Sequence, residues 1–349
     1  MVREPIPRAM DEASMHAVRL TETMGVPAVD AAMPLPACGD GETLVRVRAA
    51  ALNHRDVYIM QGKYPGIALP VTLGSDGAGE ADGREVVIDP MLGWGDDDRV
   101  WRAGATILGM PRDGTMATYV AVPNENVHAK PAHLSFEEAA ALPLAGLTAY
   151  RALFTRGGLS SGETVLITGV GGGVQTFVLL FAKAAGARTI VTSGSDEKLA
   201  RATALGADVA INYRTDEAWH KAVRKAGPVD LAVDSAGGAT LARCIDAVRP
   251  GGRVVLYGGS NGDATVRPFS IFWNHLDVLG TSMGSPRDFA AMLAFVERER
   301  IRPAIDRVYP MDRVADAMRR MDEAHQFGKI VIRSIDPSTT LRYATLRSG

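Results

Sequence analysis

The chain has 349 residues, 46% of them hydrophobic and 22% charged, with 38 basic against 40 acidic side chains and a net charge of -2. That length suggests two domains, each with a core that needs no covalent staples. The charge balance speaks against a nucleic acid or a membrane surface as partner, and two distant cysteines, Cys38 and Cys244, exclude a CxxC metal cluster and a disulfide framework.

Residues 1–14 mix charged and small side chains without an apolar core, so no signal peptide is expected there. The longest clean apolar run, Phe177 to Ala182, is far too short to span a bilayer, and a soluble cytoplasmic protein is the expectation. Up to about residue 145, short strand-like runs alternate with Gly, Pro and Asp. In 43–51, Val45 and Val47 fall on one face and Arg46 and Arg48 on the other, the period of a half-exposed strand. Segments 85–89 and 117–122 look similar, and such spacing suits an antiparallel barrel or sandwich. His54 has no His or Cys partner at ligand spacing, and His128 and His133, flanking Pro131, read as surface residues.

Beyond residue 145 the pattern becomes strand, turn, helix, strand. Apolar strands are expected at 164–168, 187–192, 208–211, 229–234, 253–257 and 277–279, which together describe a doubly wound parallel sheet. A helix at 286–300 places Phe289, Met292, Leu293 and Val296 on one face, and 329–333 forms a last strand. The polar residues 336–349 are expected to be loosely held.

Between the first of these strands and its helix lies Gly169-Val170-Gly171-Gly172-Gly173-Val174. Glycines there let the backbone approach a pyrophosphate, and the helix N-terminus offers free N–H groups to it. Gly171, Gly172, Gly173 and Val174 are therefore cofactor-binding candidates; a plain strand–helix turn seldom needs four glycines in five positions. Val174 or Gln175, depending on register, stands where GxGxxG has its third glycine, so the first helical turn is expected slightly farther out. The second strand runs into Ser193-Gly194-Ser195 with no carboxylate at its tip, and Lys198 and Tyr213 follow. Small hydroxyls and a cation accept a 2′-phosphate where a carboxylate would repel it, so NADPH is expected rather than NADH. Ser195 also reads as a helix N-cap before Asp196 and Glu197, and Lys198 as a solvated lysine.

The segments ALNHRDVY (51–58), GSDGAGE (74–80), GLTAYRAL (146–153), the glycine turn, ALGAD (204–208), INYR (211–214), RPGGRVVLYG (249–258) and FGKIVI (327–332) occur in the order seen in medium-chain dehydrogenases/reductases. The chain resembles that superfamily over roughly residues 15–333, and within it the zinc-independent quinone oxidoreductase-like branch. The resemblance implies a Rossmann doubly wound parallel sheet inserted in a GroES-like β-barrel catalytic domain. Residues 1–145 and 285–349 would form the catalytic domain, and 146–284 the NADPH-binding domain. It also implies a homodimer through sheet edges, with 277–284 as the candidate edge. Thr148 would lie beside the cofactor, Gly258, Gly259 and Ser260 would follow the fifth strand at the cleft, and Lys329 would be a cofactor neighbour or a surface lysine.

Zinc alcohol dehydrogenases of the superfamily carry a Cys where this chain has Asn53 and GHE where it has Gly74-Ser75-Asp76, and residues 89–112 lack the cysteines of a structural zinc lobe. Asn and Ser are poor zinc ligands, so no metal is assigned. Without zinc, hydride transfer to a conjugated carbonyl is easier than alcohol oxidation, because the enolate spreads the charge. Asn53 and Tyr58 are the catalytic candidates. Asn53 would position the nicotinamide or the substrate carbonyl, and Tyr58 would donate to the oxygen or a water. Each also has a structural reading, Asn53 as a turn holder and Tyr58 as cleft wall, and Asp56 reads as an internal salt bridge to Arg55 or Arg151. The expected activity is NADPH-dependent, zinc-independent reduction of quinones or α,β-unsaturated carbonyls. A zinc-type alcohol dehydrogenase with an atypical site, an enoyl-thioester reductase and a non-catalytic NADPH-binding protein remain as alternatives.

Overall fold

Six parallel strands carry their apolar runs into one sheet. The computed structural model describes residues 14–335, so the expectations for 1–13 and 336–349 lie outside the described residues. The spatial order is Val209–Asn212, Arg188–Ser193, Thr164–Ile167, Leu231–Asp234, Arg253–Leu256, Asp277–Gly280. Successive side chains point to opposite faces, so each strand feeds two cores. Val165, Ile167, Val191, Leu231, Val233 and Val255 meet Phe177 and Phe181 of the helix Gly173–Ala184. Leu166, Ile190, Ala232 and Val254 meet Trp219, Val223, Leu241 and Ile245 on the other side.

The second sheet is mixed, in the order Val127–Ala129, Arg84–Ile88, Asp76–Ala81, Glu42–Ala51, Lys329–Arg333, Ile305–Pro310, with Tyr119–Pro123 also paired to Glu42–Ala51. Val45 and Val47 are buried as their alternation requires, while Arg46 and Arg48 are half-buried. Lys329–Arg333 runs antiparallel to Glu42–Ala51 and parallel to Ile305–Pro310. The end of the chain thus completes a sheet begun near its start, on the far side of the parallel-sheet unit. Ala28–Pro34, Ser14–Leu20 and Val71–Thr72 form a small third sheet.

Three expectations are corrected by packing. His133 is not a surface residue: its side chain is 1% exposed, and its ring lies 3.0 Å from the Ile301 carbonyl and 3.4 Å from Glu297. The His128 ring packs 4.8 Å from Phe289, because the helix Pro286–Glu299 lies over this stretch. Phe289, Met292 and Val296 do line that helix's inner face, with Phe295 beside them and Leu293 only partly buried. Asp56 makes no ion pair with Arg151. Arg151 is committed to Asp288 and to the carbonyls of Asp98 (2.8 Å) and Arg99 (3.0 Å), whereas Asp56 accepts from the Asn53 backbone N–H at 2.8 Å.

Asp89 is 1% exposed at the end of a barrel strand, where its Oδ1 accepts from Met91 N at 2.9 Å. Loss of solvent pushes its carboxyl from the ordinary 3.8 up to about 8. Between those values the unfolded chain has lost the proton and the folded chain retains it, so this residue makes stability fall as pH rises, by up to about 1.4 kcal/mol per pH unit. Asp89→Asn keeps the acceptor and should flatten the decline in urea-unfolding free energy across about pH 5 to 8. An unchanged slope would contradict a buried neutral carboxyl.

Candidate active site

The glycine turn caps the helix Gly173–Ala184 at Gly172, with no side chain accepting from the first-turn amides. Those amides stay available to an anion. Gly171 has φ 119°, and a Cβ there would sit 2.8 Å from the Lys198 side chain. A Cβ on Gly173 would come 3.0 Å from Lys329 Cδ. The turn is tied down by Val170 N to Thr192 O (2.8 Å) and by Gly328 N to Gly171 O (2.9 Å). This cradle at the C-terminal edge of a parallel sheet fits a dinucleotide pyrophosphate, with Gly171, Gly172, Gly173 and Val174 around it. Gln175, 7% exposed, donates to Ser235 Oγ on the next loop.

The other cofactor candidates fall around the same edge. Ser195 Oγ accepts from Lys198 N at 3.3 Å, so the N-cap reading holds. Lys198 is not a free surface lysine: its ammonium donates to Ala324 O at 2.6 Å, and burial holds its pKa below the usual lysine value. Lys198 therefore stands beside the glycine turn. At the strand tip itself, a Cβ on Gly194 would meet Arg214 Nε at 2.8 Å and Tyr213 Oη at 2.9 Å. Arg214 is exposed and its guanidinium makes no ion pair among the described residues. In the sequence its signal is a cation directly after Tyr213, within INYR. The loop holding Gly258, Gly259 and Ser260 packs on the preceding one through Asn261 N to Ala236 O, 2.7 Å. Thr148 is buried and spends its hydroxyl on Leu144 O at 2.8 Å.

The catalytic candidates sit across from this edge. Ala51 pairs with Asp76 on one side and Val331 on the other, so the chain leaves its strand at Asn53 between Asp76 and Lys329. Lys329 Nζ donates to Asn53 Oδ1 at 2.7 Å and to Asp76 Oδ2 at 2.8 Å, and Asn53 Nδ2 donates to the same Asp76 oxygen at 2.9 Å. Asp76 Oδ1 accepts from Leu144 N at 2.8 Å. Lys329 is 2% exposed, so the surface-lysine reading is excluded. Asn53 opens the helix His54–Met60, on which Arg55, Asp56, Val57 and Ile59 are buried. His54 and Tyr58, one turn apart, remain exposed with ring centroids 6.4 Å apart. Desolvation in the crowded cleft, then Lys329 and Lys198, lower the His54 pKa and keep the imidazole neutral. In the sequence Asp76 and His54 lie within GSDGAGE and ALNHRDVY, with no local sign that they share a site.

That zinc reading can be tested on the donors. Asn53 Oδ1 and Asp76 Oδ2 already accept from an ammonium, and Ser75 Oγ accepts from the Arg55 guanidinium at 2.5 Å. Two fixed cations occupy the ground a dication would need, and among the described residues no group of three His, Cys, Asp or Glu side chains could hold a metal ion. Zinc does not fit this site. No helix of the described residues is long and apolar enough to cross a membrane.

Two family descriptions match the chain: "Alcohol dehydrogenase GroES-like domain" over residues 39–132 and "Zinc-binding dehydrogenase" over 173–298. A "Zinc-type alcohol dehydrogenase-like protein YogA" of Leptosphaeria maculans is 35% identical over 85% of this chain and 92% of its own. The human "Synaptic vesicle membrane protein VAT-1 homolog" is 31% identical over 85% of this chain and 80% of its own. A crystal structure described as an NAD-dependent alcohol dehydrogenase superposes with a TM-score of 0.85 at 36% identity, covering 92% of this chain and 100% of that one. The chain belongs to the medium-chain dehydrogenase/reductase superfamily, an oxidoreductase family, and has its GroES-like domain and its nicotinamide-dinucleotide-binding Rossmann domain.

The donor set conflicts with the zinc in those family descriptions, and metal analysis resolves it. After exposure to excess zinc and dialysis, the purified protein should retain no stoichiometric metal. One tightly held zinc per chain would overturn the assignment.

Proposed function

We propose that this oxidoreductase is NADPH-dependent and reduces quinones or α,β-unsaturated carbonyls without a metal. The observation that carries the reading is the Lys329–Asp76–Asn53 cluster, which places hydrogen-bond donors and an ammonium where a zinc enzyme needs ligands. Donors of this strength suit an enolate or a quinol anion, whose charge is delocalised, better than a localised alkoxide.

NADPH, when bound, supplies the hydride. The backbone amides around Gly171–Val174 would hold the pyrophosphate at the helix N-terminus. Ser193, Gly194, Ser195, Tyr213 and Arg214 would hold a 2′-phosphate at the strand tip, with Arg214 as the charge-assisted donor and Lys198 adding positive potential beside the glycine turn. On the opposite wall, Asn53 donates to the acceptor oxygen of the substrate, and Tyr58 delivers a proton from its solvent-open position. The neutral His54, one turn away on the same face, can pass that proton on from solvent.

A homodimer accompanies this reading. Among the described residues the strand Asp277–Gly280 is bonded on one side only, to Arg253–Leu256. A few residues before it in the chain, Phe269, Phe272 and Trp273 are 57%, 61% and 66% exposed and pack on one another, an apolar patch that a second copy would cover.

Three measurements test these proposals. In fluorescence titrations NADPH should bind more tightly than NADH, and Arg214→Ala should weaken NADPH by about 10- to 100-fold while leaving NADH nearly unchanged. Preference for NADH, the cofactor named for the 36%-identical crystal structure, would overturn the NADPH assignment. Turnover with naphthoquinone or cyclohexenone, and not with simple alcohols, checks the substrate class. In sedimentation the chain should run as a dimer that Trp273→Asp converts to monomer; an unshifted dimer places the contact elsewhere.

A further inference from the structure

Asn53 carries an obligation that its position at the start of a helix does not explain. A helix-capping Asn normally accepts from an amide of the first turn. Here Asn53 and Asp56 form a capping box, with Asp56 Oδ2 accepting from Asn53 N at 2.8 Å, and the Asn53 amide also reaches beyond the helix into the cluster with Asp76 and Lys329. The three residues are 7%, 0% and 2% exposed.

The chemistry of the two partners fixes the amide. An ammonium can only donate and a carboxylate can only accept. Oδ1 of Asn53 must therefore face Lys329, and Nδ2 must face Asp76. A flip by 180° would set a donor against a donor and an acceptor against an acceptor, both out of water. Asp76 cannot turn to follow, because its other oxygen is held by Leu144 N at 2.8 Å. Lys329 cannot move freely either, because its stem lies against Gly173, where an added Cβ would come within 3.0 Å of Cδ. The cluster leaves over the second Nδ2–H of Asn53 and the third N–H of Lys329. As a stabilising device, a buried ion pair does little that apolar packing could not do. What it adds is a single orientation for the amide between them.

We propose that Lys329 and Asp76 are positioning residues for Asn53: they lock its amide so that the remaining Nδ2–H is presented to the substrate oxygen. The cation that a zinc enzyme of this fold would bind is replaced by one that the chain itself supplies. This inference rests on the proposed role of Asn53 in hydride transfer.

A double-mutant cycle separates positioning from bulk structure. With NADPH and naphthoquinone, Asp76→Asn and Lys329→Met should each lower kcat by roughly 10²-fold with little change in KM. In an Asn53→Ala background neither should lower it further. Equal losses in both backgrounds would overturn the positioning role and leave the role of Asn53 standing. Wild-type kcat in Asn53→Ala would overturn both. Asp76→Asn keeps the size and removes the charge, so it remains informative if Lys329→Met, which strands a buried carboxylate, fails to fold.

The orientation itself needs no turnover to be read. In the NMR spectrum of the full protein, the Asn53 side-chain amide, assigned by its loss in Asn53→Ala, should exchange slowly with solvent. That protection should collapse in Asp76→Asn. A fast-exchanging amide in the wild-type chain would overturn the lock.

Discussion

An ammonium group taken out of water has to be matched by acceptors fixed around it, and the folded chain meets that demand at Lys329 with residues far from it in sequence. Asn53 enters from the start of a helix, Asp76 from a barrel strand, and Leu144 completes the shell through Asp76. The carbonyl of Gly171, on the dinucleotide turn, bonds to the amide of Gly328, next to the lysine. The strand Lys329–Arg333 is thus hydrogen-bonded to the barrel and adjoins the turn of the parallel sheet. That one buried charge sits where the glycine turn of the parallel sheet meets the barrel residues Asn53 and Asp76.

The same arrangement sets the electrostatics of the cleft. Lys329, Lys198 and Arg214 form a series of cations along the C-terminal edge of the parallel sheet, where helix N-termini already favour anions. His54 lies within their field and is held neutral. A dinucleotide phosphate chain would meet positive potential there, while at the proposed hydride-transfer position the uncharged amide of Asn53 stands between the Lys329 ammonium and the Asp76 carboxylate. Neutral donors there can stabilise a delocalised anion and pass protons without trapping it as a salt.

The family is shared with proteins whose descriptions name zinc, yet the donor atoms here are directed otherwise. A fold of this kind hosts different chemistries because the site is a small set of side chains on a common frame. Asn53, Ser75 and Asp76 occupy the ground of a metal site and are engaged by Lys329 and Arg55. Exchanging a bound dication for the chain's own cations keeps positive charge in the cleft and gives up open coordination. Under the proposed function, that exchange would favour acceptors already polarised by conjugation.

The sequence by itself determined the parallel sheet, because its strands are continuous apolar runs divided by glycine turns and helices, a local pattern that needs no partner to be read. It determined the barrel strand of Val45 and Val47 by alternation, the glycine cradle by composition, and the loss of zinc ligands by residue type. The helix over His128 and His133 was visible as a helix, but its placement on them was not, since nothing local says what a face will cover. Arg151 finding Asp288 rather than Asp56, Arg214 arriving at the tip of the second strand, and Lys329 meeting Asn53 all join segments distant in the chain. Such pairings are decided when strands take their register and buried charges must find opposite partners. Only the tertiary structure could turn Lys329 from a lysine before a strand into the charge that orients Asn53.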